Sequence, residues 1–126
     1  MSYAEAHTIT VTTDASGDAT EYSPVVTGRI MTIIYTKPGS GGFDTGVDFS
    51  ITTEDTGQDV WVEDNVDASK TISPRQPTHD KAGTASLYAG SGEPVEDYII
   101  AASERIKVTI SNGGDTKTGT FVIIIA

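Results

Sequence analysis

The sequence predicts an all-β fold, an antiparallel β-sandwich or jelly roll of about seven to eight strands. Three observations carry that prediction. Apolar, β-branched residues alternate with Thr, Ser and Lys at a period of two, the pattern of a strand buried on one face. Gly-, Pro- and Asp-bearing turns punctuate the chain at intervals of roughly 8 to 14 residues. No amphipathic helical pattern persists beyond a turn or two.

Residues 7–13 form the first candidate strand, with Ile9 and Val11 inward and Thr8, Thr10 and Thr12 outward. Asp14-Ala-Ser-Gly-Asp18 supplies turn chemistry, because Asp and Ser bond nearby backbone and Gly17 tolerates positive φ. A short run around Tyr22 precedes Pro24 at a strand start, and residues 25–36, VVTGRIMTIIYT, form a long strand. Gly28 inside it signals a bulge or a close approach of another group. Lys37-Pro-Gly-Ser-Gly-Gly42 is the clearest loop. Val47-Asp-Phe-Ser-Ile51 alternates cleanly, and Val60-Trp-Val62 follows as a strand that turns either Trp61 or the two valines inward.

Between residues 64 and 82 the pattern weakens. Pro74 and Pro77 exclude a helix or a central strand there, so a long crossover or an arm is expected. Residues 82–87 read as a strand, Ala89-Gly-Ser-Gly-Glu-Pro94 as a loop, and Tyr98-Ile-Ile-Ala-Ala102 as a strand leading into a closing hairpin. In that hairpin Ile106, Val108 and Ile110 alternate with polar residues, whereas Phe121 to Ile125 are all apolar. An unbroken apolar run suits a strand covered on both faces, and part of it is expected to lie against a partner subunit.

At 126 residues the chain fits one domain, 1–126, with an N-terminal arm over residues 1–7 that can order on a neighbour. Eight Lys plus Arg face 18 Asp plus Glu, for a formal charge of −10. Such a field repels phosphate backbones and argues against nucleic-acid binding. The acidic residues concentrate between Asp44 and Asp67, where no Lys or Arg occurs. A solvated acidic edge that discourages aggregation is the first reading of that stretch, and a basic partner or a cation the second. Cys is absent, which excludes disulfides, thiol catalysis and thiolate metal sites. No apolar run approaches the ~18 residues of a membrane helix, and MSYAEAHTITV lacks a basic region before an apolar one. The chain is therefore expected to be made and used without membrane insertion or a Sec-type export step.

No catalytic signature emerges. His79-Asp80 is a neighbour pair without a nucleophile elbow, and the carboxylates lie in turn-like contexts. Glu63-Asp-Asn-Val-Asp67 and Asp14-Ala-Ser-Gly-Asp18 place oxygen ligands at alternate positions. Both lack the Gly and Glu that an EF-hand loop needs at its sixth and twelfth places, which leaves only a calcium ion shared between loops or subunits. Gly39-Ser-Gly-Gly42 is followed by Phe43-Asp44 where a phosphate loop needs Lys and Ser or Thr. No enzyme activity and no cofactor are expected.

The segment from Tyr98 to Thr120, with its apolar strand, its Asn112-Gly-Gly turn and its Lys117-Thr-Gly119 step into the final strand, resembles the C-terminal hairpin of small β-rich virion proteins of tailed bacteriophages. The likeness covers about a fifth of the chain. It implies a sandwich or jelly-roll subunit of the virion, assembled in the host cytoplasm, of the capsid-decoration type. The implied partners are the major capsid protein or another virion protein, and further copies of the chain, most simply a trimer. Tyr3, Tyr22, Trp61, Phe121 and Ile124 are the candidate partner contacts. A neck or tail subunit, tail-tube or head–tail joining, is the alternative. A receptor- or carbohydrate-binding β-sandwich, using Trp61 and the loops at Gly39 and Gly90, is the third reading.

Overall fold

The computed structural model describes residues 3–126, and every regular element among them is a β-strand. The main sheet runs in the order β1 (Glu5–Thr12), β11 (Thr118–Ile125), β3 (Val26–Thr36). Two strands share the far side of β3: β9 (Ile99–Glu104) pairs with its first half and β6 (Lys70–Ile72) with its second. The second sheet has the order β2 (Ala19–Tyr22), β10 (Ile106–Ser111), β4 (Asp48–Thr53), β5 (Asp59–Glu63). All these ladders are antiparallel, and the predicted all-β sandwich is the architecture found.

The core lies between the sheets. Ile9, Val11, Ile30, Ile33, Phe121 and Ile123 of the first sheet meet Phe49, Ile51, Val108 and Ile110 of the second, all buried. An aromatic cluster fills one end: Phe49 lies edge-on to Tyr35, Phe121 and Trp61, with centroids 4.8, 5.1 and 5.2 Å away. Such edge contacts are the favoured aromatic geometry. Phe43, from the loop after β3, joins this cluster and is 1% exposed. Gly119 of β11 makes room for it, since a Cβ there would sit 2.9 Å from Tyr35 Cε1 and closer still to the Phe43 ring.

Two strands depart from the simple alternation. In β5 the register shifts opposite Ile51 and Thr52, so Val60 and Trp61 both turn inward while Val62 is 57% exposed. The bulge thereby resolves the choice between Trp61 and the valines by burying one of each. In β3 the register slips between Val26 and Gly28, and Gly28 has φ of 137°. A Cβ at Gly28 would stand 2.9 Å from the Ala126 carbonyl oxygen, so the close backbone approach expected there is real and its partner is Ala126.

One turn is used twice. Asp14 Oδ1 accepts hydrogen bonds from the Ser16 and Asp18 amides, and Asp80 Oδ1 accepts them from Ala82 and Thr84. Gly17 and Gly83 close the two turns at φ of 83° and 82°. The second of these lies in a long excursion between β6 and β9. There β7 (Gln76–Pro77) pairs with β8 (Glu96–Asp97), and the expected strand over residues 82–87 is absent, reduced to isolated bridges of Ala85 with His79 and of Leu87 with Pro94. Apart from Leu87 its residues are small, and none is buried, so no apolar face holds a ladder together.

Candidate functional site

The outer face of the main sheet is the feature that sets this surface apart. The ladder registers place Ala6, Ile124 and Thr32 in one row, and Thr8, Val122, Ile34 and Thr71 in the next. Thr10, Thr120 and Thr36 form a third row, and Thr12 with Thr118 a fourth. None of these twelve positions is charged, although the chain as a whole carries 21% charged residues. A solvated outer face ordinarily carries Lys and Glu, which oppose association. Val122, Ile124 and Ile34 are half-buried by their Thr neighbours, so the face is flat and mixed rather than greasy. With strands ~4.8 Å apart its extent is on the order of 400 Å².

The predicted contact residues separate into two groups. Ile124 sits on this uncharged face, and Tyr3 is 74% exposed beside the start of β1. Tyr22 is 37% exposed at the edge of the second sheet, with the Arg105 guanidinium 4.0 Å over its ring. Trp61 and Phe121 are not surface residues: they are 6% and 0% exposed. Phe121 begins an apolar run whose alternation is hidden by composition, and the register with Tyr35 turns it inward. Of the features named for the glycan-binding reading, Trp61 is therefore off the surface, while the loops at Gly39 and Gly90 are exposed. Of the expected N-terminal arm, Glu5 to His7 already belong to β1, and Met1 and Ser2 lie outside the described residues.

Half of the acidic stretch, Asp48, Glu54, Glu63 and Asp67, is spent on internal bonds. Asp48 accepts hydrogen bonds from the Asn65 amide and Asn112 Nδ2, and Asp67 from the Gly46 amide. Glu63 accepts from Lys70 Nζ at 2.8 Å and from Trp61 Nε1 at 3.1 Å, and the Lys70 ammonium, then Trp61, hold its carboxyl below the ordinary range. Glu54 pairs with Arg105, whose guanidinium lowers its pKa in turn. Among the described residues no three His, Asp or Glu side chains converge as a metal ligand set. Asp14, expected as an oxygen ligand, caps its own turn, and His79 with Asp80 lies exposed in the excursion.

Glu104 was not among the expected residues, and it is the most confined charge in the molecule at 2% exposed. It accepts hydrogen bonds from the Asp55 and Thr56 amides at 2.9 and 3.0 Å, and from Thr56 Oγ1 and the Ala102 amide. Burial alone raises its pKa, but the bonds from Thr56, Ala102 and Asp55 outweigh it and hold the carboxyl below 4.5. The bond set ties the β4–β5 turn to the end of β9. No sequence pattern marks it, because most of its partners, the Asp55 and Thr56 amides and the Thr56 hydroxyl, lie about fifty residues away.

No protein-family model matches the sequence, and no curated protein matches it. The chain is similar to the crystal structure of FLHE, at 9% sequence identity, with 98% of each chain covered and a TM-score of 0.48. A likeness at that level carries nothing about function. The uncharged outer sheet face is what the molecule itself offers as a site.

Proposed function

We propose that this chain is a non-enzymatic structural subunit of a virion, one that decorates and stabilises the capsid through lattice contacts made by the outer face of the main sheet. The observation that carries the reading is the absence of charge over twelve adjoining outward positions of β1, β11, β3 and β6, on a chain of net charge −10; Arg29, near the start of β3, is the charged outward residue at the margin of that patch. The likeness of the closing hairpin to phage virion proteins supplies the kind of particle. A patch of ~400 Å² falls short of the ~800 Å² per partner of a standard stable interface. Repeated over a lattice, contacts of that size add through multivalency, so weak single sites suffice.

The test mixes the purified chain with capsids of the virus that encodes it. The wild-type chain is expected to co-sediment with them and to raise their melting temperature, and Thr8→Lys, which puts a cation in the centre of the face, to do neither. Absence of binding by the wild type contradicts the proposal. Binding to the portal, or tube formation by the chain alone, assigns it to the neck or tail instead.

A further inference from the structure

The free edge of β1 is a long sheet edge that carries no guard. Its ladder with β11 runs without interruption from Glu5 opposite Ile125 to Thr12 opposite Thr118. Just beyond it the Thr13 amide donates to the Lys117 carbonyl at 2.8 Å, which makes those two a hydrogen-bonded pair. Such pairs alternate along an antiparallel ladder, so Ile9 and Val11 bond to β11 while Ala6, Thr8, Thr10 and Thr12 turn their N–H and C=O groups away from it. Among the described residues nothing bonds to them there, and all four are exposed. The other edges carry devices that oppose pairing. β2 is four residues long, stops just before Pro24, and holds Glu21 opposite buried Val108, where it stays exposed. β5 is bulged and bears Asp59 and Glu63, β6 has three residues, and β9 is interrupted at Ser103, whose φ is 52°. β1 has eight residues with no Pro, no Lys and no bulge.

We infer that this edge pairs with the β1 edge of a second copy, antiparallel, about a twofold axis that passes at Ile9. The pairing stands on the edge itself, and its use rests on the decoration role proposed above. An antiparallel edge is self-complementary, because each outward residue brings one donor and one acceptor to its mate, and main-chain bonds of this kind supply the affinity of strand addition. Centring the axis on Ile9 sets Thr8 against Thr10 and Ala6 against Thr12 in both directions. That register satisfies all four residues at once. Charge favours it too. Glu5 falls opposite the second copy's Thr13 and one strand away from its Lys117, with Cα atoms about 10 Å apart, within reach of two long side chains. The Lys117 ammonium has no carboxylate partner among the described residues. Because the axis stands perpendicular to the sheet, the two uncharged outer faces look the same way and join into one of ~800 Å², the area per partner of a standard interface. The pairing thus enlarges the capsid contact and leaves that face free. A twofold pair takes the place of the trimer implied by the closing hairpin.

Sedimentation velocity and disulfide trapping test the pairing. Wild type is expected to dimerise reversibly below about 1 mM. Thr10→Pro removes a donor that faces the free edge and keeps the bonds to β11, a place where an edge strand tolerates proline. Circular dichroism verifies its fold, and its dimerisation should weaken at least about tenfold. The chain has no Cys, so Thr8→Cys and Thr10→Cys each carry a single thiol. Under mild oxidation their equimolar mixture should cross-link several-fold more than either variant alone, because only the mixture puts thiols on facing residues, with Cα atoms ~5.5 Å apart. The trapping result decides if the proline variant does not fold. Three results overturn the inference: a wild type that is monomeric at about 1 mM, a folded Thr10→Pro chain that dimerises like wild type, or a mixture that cross-links no better than its components. A monomeric wild type that still co-sediments with capsids removes the pair and leaves the decoration role standing, whereas a dimer that binds no capsid removes the role and leaves the pair.

Discussion

Two buried polar side chains show how single residues set the stability of this sandwich. Glu104 is depressed below 4.5, so its stabilisation is complete above the unfolded value and is lost as pH falls through the lower folded value. Replacement by Gln keeps the shape but removes the negative acceptor from the Asp55 and Thr56 amides. Glu104→Gln is expected to cost about 2 kcal/mol at neutral pH and to shrink the acid limb of the stability profile, read by denaturant titration at several pH values. The limb does not vanish, because Glu54 and Glu63 remain depressed by Arg105 and Lys70. Tyr35 behaves in the opposite sense. Its buried hydroxyl has no hydrogen-bond partner among the described residues, and burial raises its pKa from 10.0 to about 12. Stability attached to the neutral phenol is therefore present below pH 10 and lost as pH rises towards 12. Tyr35→Phe removes the unpaired hydroxyl and should be neutral or stabilising by about 1 kcal/mol, with the alkaline loss abolished. Neither role is legible in the sequence, since both depend on what surrounds the side chain rather than on spacing.

Among the elements, period-two alternation located the strands that bury one face, from Ile9 and Val11 to Ile106, Val108 and Ile110. It failed where alternation is masked or broken. Phe121 to Ile125 are uniformly apolar, so only pairing with β1 and β3 decides that Phe121 and Ile123 point inward and Val122 and Ile124 outward. Trp61 and Val60 share the core because of a bulge that composition does not announce. The Lys117-Thr-Gly119 step was legible as a motif but not as physics: its glycine is the space that Phe43 occupies. The excursion was legible in part, through Pro74, Pro77 and the loss of pattern. Since β6 and β9 each pair with β3 independently of it, replacing residues 75–97 by a short turn should cost about 1 kcal/mol or less. Thermal denaturation reads the outcome.

For the whole molecule, charge distribution distinguishes one face from the rest. The outer side of the second sheet carries Lys107, Asp48 and the Tyr22–Arg105 stack, whereas the outer side of the main sheet carries none of these groups. A chain that works as a solitary unit gains nothing from leaving a broad patch of that face uncharged, with Arg29 only at its margin, and risks adhesion there. The absence of Cys makes the difference directly measurable, because any introduced cysteine is the sole thiol. Thr120→Cys places it on the main-sheet face and Ser50→Cys on the outer side of the second sheet. Thiol labelling rates of these two variants, measured with and without capsids of the virus that encodes the chain, then report which face becomes covered. Strong slowing for Thr120→Cys with no change for Ser50→Cys is the predicted result; equal rates in both variants, or protection in Ser50→Cys alone, contradicts the assignment of the main-sheet face as the assembly surface.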